Sequence, residues 1–150
     1  MEGFLTKNNL DHFIQRTDKI QEKSSANWGK MDAAQMFQHL NKSVQSLFEE
    51  NKVKRMFLGR IIGKLILKKA IKDKKPISKN SPTAPSFVSD NSVDFNKEKN
   101  TWKMYLEKFA KLTESDLEGK IHPFFGKMTG NQWNVLIYKH VDHHLKQFEN

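Results

Sequence analysis

The sequence predicts an all-α domain, an up-down four-helix bundle with one long crossover between its second and third helices. Apolar residues recur at helical spacing in four separate stretches. Signatures of the capping-box type stand before two of them. Only 7 Gly and 4 Pro punctuate the 150 residues, too few for a many-stranded β fold. The length fits one domain over 1–150, and 11 Phe, 3 Trp and 6 Met supply bulky core material.

The first helix is expected over 8–22, NNLDHFIQRTDKIQE, where Leu10, Phe13, Ile14 and Ile20 share a face behind an Asn start. After the loop SSANWGK, Asp32 and Gln35 form a variant capping box that opens the second helix, about 32–50. Its apolar arc is Ala33, Met36, Phe37, Leu40, Val44 and Leu47. Residues 53–72 mix apolar and basic side chains with two glycines and read as helical. Residues 76–91, PISKNSPTAPSFVSDN, hold three of the four prolines and read as an irregular crossover. The third main helix is placed at 92–112, with a stripe of Phe95, Trp102, Tyr105, Leu106 and Phe109. EGKIHPFFGKM follows as a loop. Thr129 and Gln132 then make a second capping box before the last helix, about 130–148.

With no Cys, neither a disulfide framework nor a thiolate metal site is available, so a metal must be held by His, carboxylate, backbone or water. The N-terminal MEGFLTKNNLDHF lacks a signal-peptide pattern, and no apolar run reaches the ~20 residues that span a bilayer. A cytoplasmic location is the expectation. The net charge of +9 favours anionic partners, and the excess is concentrated in residues 52–75, with ten Lys and Arg against Asp73.

The stretch YKHVDHHLKQF at 138–148 raises the question of function. At 3.6 residues per turn, His140 and His144 fall inside the apolar stripe made by Trp133, Leu136, Ile137, Val141, Leu145 and Phe148. Asp142, Lys139, Lys146 and Glu149 take the opposite face, with His143 at the margin. Each buried imidazole needs a partner or costs about 1–3 kcal/mol. Imidazoles at i and i+4 can converge on one ion, as in HExxH sites, or form a satisfied pair in a core. Spacing leaves both readings open. His39, at the edge of the apolar arc of the second helix near Ser43, is a third ligand if the helices bring it close, and His143 is the substitute.

The motif xHL at Gln38, His39 and Leu40, with HxxxHxxQ at His140, His144 and Gln147, resembles the DinB/YfiT-like superfamily. WGKMDAAQMFQHL at 28–40, KNSPTAPSF at 79–87, HPFFGKMTGNQW at 122–133 and YKHVDHHLKQF are similar to a bacterial family of unknown function within it. The resemblance implies the bundle with its crossover and a divalent metal held by His39, His140 and His144; imidazole accepts zinc, nickel, iron and manganese, of which zinc or nickel is the expectation. It also implies metal-dependent transferase or isomerase chemistry with a low-molecular-weight thiol, while leaving the reaction of the close family unassigned.

Three neutral imidazoles leave the ion's charge uncompensated and a coordination position open, the pattern of a catalytic site. Thiol S-transfer and hydrolysis are the two expected reaction classes; a metal-stabilised binding module without turnover is the alternative. Gln147 is the candidate for orienting a ligand, and His122, before Pro123, the candidate acid or base; a polar rim and a loop hydrogen bond are their structural roles otherwise. A small-molecule substrate is the expected partner, with a homodimer possible. The basic segment 52–75 reads first as a solvated insert packed across the bundle. Its bases fall among its apolar residues, so a membrane-surface helix ranks lower. Nucleic acid ranks lower too, without a recognition helix or stacking platform.

Overall fold

A computed structural model describes residues 3–48, 54–73 and 75–149. The Thr6 hydroxyl accepts the Asn9 N–H and opens α1 (Lys7–Lys19), one residue before the expected start. The helix also stops earlier than Glu22. Ile20 turns extended and is buried, and Lys99 donates from a later helix to the carbonyls of Asp18 and Ile20. A cation on these carbonyls stabilises the helix end there.

Asp32 and Gln35 form the expected reciprocal pair, with N–H to side-chain oxygen distances of 2.8 and 3.0 Å, and α2 (Ala33–Phe48) follows. The expected end at 49–50 lies outside the described residues, and the next helix begins at Phe57 behind an extended Met56, four residues later than the expected start at 53. In α3 (Phe57–Lys72), Gly59, Gly63 and Leu67 are the buried residues, and the helix packs on a later hairpin and on the last helix.

The crossover is irregular apart from a 3-10 turn at Pro85–Phe87, but it is fastened along α2. Ser89 donates to Gln35 O, the Gln38 amide exchanges two hydrogen bonds with Asp90, and Lys42 donates to Val88 O. Asp94 accepts the Lys97 N–H and starts α4 (Phe95–Phe109), shorter at both ends than 92–112.

Two short features are absent from the sequence expectation. Thr113 and Asp116 cap a single turn, α5 (Glu114–Leu117). The region expected as a loop contains two-residue strands β1 (Ile121–His122) and β2 (Gly126–Lys127), antiparallel with His122 opposite Gly126. Two residues are too few for an alternating pattern to register. Gly126 has φ +79°, and a Cβ there would lie 2.4 Å from the Arg55 guanidinium, so the turn needs glycine. The Thr129–Gln132 box then opens α6 (Gly130–Phe148).

The protein is mainly helical. α2 packs on α4, α4 on α1, α1 on α6 and α6 on α2, which closes a ring around one core. Phe4, Phe13, Phe37, Trp102, Phe109 and Trp133 fill it. The Trp102 indole N–H donates to the Thr17 hydroxyl at 3.2 Å, so α4 and α1 share a polar contact inside an apolar core. At the adjoining contact of α1 with α6, buried Arg16 pairs with Asp142 at 2.9 Å and with Glu149. Asp142, on the outward face of the wheel, thus ties α6 to α1. Among the described residues no helix is long and apolar enough to cross a membrane.

The seat of α3 depends on its glycines. A Cβ on Gly59 or Gly63 would come within 2.2 or 2.5 Å of the Phe124 carbonyl oxygen. Gly63→Val is therefore expected to lift α3 off the hairpin, seen as faster tryptic cleavage at Lys64 and Lys68 with the remaining helices still protected. Cleavage at the wild-type rate would show that the contact does not hold the helix.

Candidate metal centre

Helices carry the histidines, and two of the three rings are fixed by hydrogen bonds at Nδ1. His39 stands mid-way along α2, and its Nδ1 meets the Phe87 carbonyl at 2.8 Å. A carbonyl only accepts, so Nδ1 carries the proton and Nε2 of the neutral ring is left with its lone pair. His144 on α6 is fixed by the same logic. Its Nδ1 lies 3.1 Å from Gln147 Oε1, and the Gln147 amide is oriented because its Nε2 donates to Trp28 O at 2.7 Å. Nδ1–H donates to Oε1, and Nε2 again is free.

His140, one turn before His144, completes the group. Its Nε2 lies 2.9 Å from His39 Nε2, and the ring centroids of the three are 4.5–4.9 Å apart. One ligand atom from each residue lies within 4.8 Å of the others. Donor atoms around a tetrahedral zinc stand about 3.3 Å apart, from bond lengths near 2.05 Å, so the three nitrogens are close enough to hold a divalent ion once their spacings shift toward that value. His39 and His144 are buried and His140 partly so.

The electrostatics agree with neutral rings. Burial, reinforced by the neighbouring imidazoles, pushes His140 well below the ordinary histidine value and His144 down to about 3. Burial also lowers His39, against the opposing effect of the Phe87 carbonyl. Neutral imidazole is the form that binds a metal.

Gln147 is buried rather than on a polar rim, and both ends of its amide are used. The loop before α2 is held there, since Asn27 N–H donates to Gln147 O at 2.7 Å and a Cβ on Gly29 would lie 2.7 Å from the Gln147 amide. His122 is also buried. Its Nδ1 accepts the N–H groups of Phe124 and Phe125 at 3.0 and 3.2 Å, and burial, with Arg55 nearby, pushes it down to about 4. His122 thus makes the loop hydrogen bonds and keeps an Nε2–H. His143 does not join the three. It lies beside the Trp28 ring at 5.4 Å and the Ile77 carbonyl. His12 is exposed on α1 beside Phe13.

The histidines were visible in the sequence; their holders were not. Phe87 lies in KNSPTAPSF, where proline density marked only a crossover, and a backbone carbonyl leaves no trace in residue identity. The signal for Trp28 was equally silent.

A mainly helical domain that draws three histidines from two helices into one cluster is the class the fold and site define. The chain belongs to the family described as protein of unknown function, DUF1569, whose family model matches residues 3–150. No curated protein and no solved structure matches it.

Proposed function

We propose that this chain is a DinB-like four-helix bundle that holds a divalent metal, zinc or nickel, through His39, His140 and His144 and uses it in thiol S-transfer or hydrolysis. The observation that carries the reading is the pair of fixed tautomers. The Phe87 carbonyl and the Gln147 amide each hold an Nδ1–H, so two inward Nε2 lone pairs stand next to a third imidazole. Outer hydrogen bonds of this kind accompany metal-ligating histidines. The ring formed by α1, α2, α4 and α6, with the crossover between α2 and α4, supports the bundle topology.

When bound, the ion supplies Lewis acidity that favours the anionic form of a small oxygen or sulfur nucleophile at neutral pH. The chain's own residues do the rest. Gln147 holds His144 in register, Phe87 holds His39, and the apolar neighbours of the rings keep them neutral. His122, neutral at pH 7 with Nδ1 committed to the backbone, offers an Nε2–H and acts as a donor rather than a base.

Elemental analysis of protein purified without a histidine tag tests this. About one divalent ion per chain is expected, lost in His144→Ala and bound about 10- to 100-fold more weakly in Gln147→Leu. Retention of the full metal content in His39→Ala, His140→Ala and His144→Ala alike would overturn the assignment. If chelation lowers the melting temperature but no thiol conjugation or ester or amide hydrolysis depends on the metal, the site is a structural one and the catalytic half of the proposal fails.

A further inference from the structure

We infer that α3 docks the protein on the surface of an anionic lipid bilayer. The helix is apolar on two opposite sides. One side, Gly59, Gly63 and Leu67, is buried against the hairpin and α6. On the other, Phe57, Leu58, Ile61 and Leu65 are 78, 55, 66 and 72% exposed, too open to belong to the core. Phe57, Ile61 and Leu65 follow one another at i, i+4 and i+8, so they form a stripe along the outward face. Because apolar residues occupy both sides, periodicity in the sequence cancels, and a membrane-surface role ranked low there.

Charge decides what covers the stripe. Arg60, Lys64, Lys68, Lys69 and Lys72 are exposed on the same helix, which has no acidic residue. Lys64 donates to the Lys127 carbonyl, while Lys68 and Lys72 fall on the outward arc beyond Leu65. A second copy seated symmetrically on this face would bring together two helices that each carry these five cations and no acidic residue. Nucleic acid would accept the cations and leave the large aliphatic and aromatic side chains in water. An anionic bilayer satisfies both, with the stripe in the headgroup boundary and the lysine heads among lipid phosphates. The inference does not rest on the metal site.

The test is sedimentation of the whole chain at low salt with vesicles of phosphatidylcholine alone and of phosphatidylcholine mixed with phosphatidylglycerol. Binding is expected to the mixed vesicles only, weakening as salt is raised. Ile61→Ser with Leu65→Ser should lower partitioning by about tenfold or more. Lys68→Glu with Lys72→Glu should do so by more than about tenfold, at roughly fivefold per lost base. All four positions are exposed, and unchanged circular dichroism would show that the variants fold. No binding to the mixed vesicles, or full binding by the Ile61→Ser, Leu65→Ser protein, overturns the inference. So does a dimer dispersed by those two serines in the absence of lipid binding, or duplex DNA held as tightly as the vesicles.

Discussion

Between pH 7 and pH 5 the metal-free protein is expected to lose about 4 kcal/mol of folding stability from two histidines alone. Burial is the first cause of the low value in both, about 3 for His144 and about 4 for His122. In the unfolded chain each titrates near 6.5. Below that pH the unfolded state takes up protons that the folded state refuses, so stability falls as pH falls. The fall continues until the folded groups themselves titrate, near pH 4 and 3. Each histidine contributes about 1.4 kcal/mol per pH unit in that window, or roughly 2 kcal/mol from pH 7 to pH 5. His39 and His140, also lowered, act in the same direction. Urea unfolding of chelator-treated protein at pH 7, 6 and 5 measures the slope. His122→Asn keeps an acceptor for the N–H groups of Phe124 and Phe125 but no longer titrates, so its loss over the same interval should be about 2 kcal/mol smaller. A flat profile would mean that the imidazoles are hydrated or protonated in the folded protein.

Trp102→Ala is expected to cost about 3–5 kcal/mol. The ring is fully buried where α4 meets α1, so truncation removes apolar contacts and leaves a cavity. It also strips the buried Thr17 hydroxyl of its indole partner. Trp102→Phe separates the two effects, since it restores much of the ring but no donor, and should cost about 1–3 kcal/mol. Midpoints of urea unfolding with unchanged slopes give both values. A loss below about 1 kcal/mol for the alanine variant would show that the neighbouring helices close over the space.

The helices that pack the core were legible because their apolar periodicity is long and their caps are local. Asp32 with Gln35, and Thr129 with Gln132, each close within one turn, so sequence alone located both starts. Boundaries set from a distance were not legible: α1 ends where Lys99, some eighty residues later, reaches its carbonyls. α5 is a single turn and each strand of the hairpin is two residues, too short for any period. At the site, the wheel turned His140 and His144 inward, and they meet His39. Gln147 sat near the same face without revealing that its amide joins His144 to a backbone carbonyl 119 residues earlier. The outward stripe of α3 was hidden for the opposite reason, an excess of apolar residues rather than a lack of signal.

The wide separation of these contacts sets an order of events in folding. His39 and His140 are 101 residues apart, Trp28 and Gln147 119, and Arg16 and Asp142 126. No contiguous half of the chain holds the three imidazoles together, and each contact must first close a loop of more than a hundred residues. Before the helices dock, only the His140 and His144 pair of α6 stands together, two of the three imidazoles. The three imidazoles come together only after the helices that carry them have docked, so on the proposed reading the complete site is a late product of folding and not its nucleus.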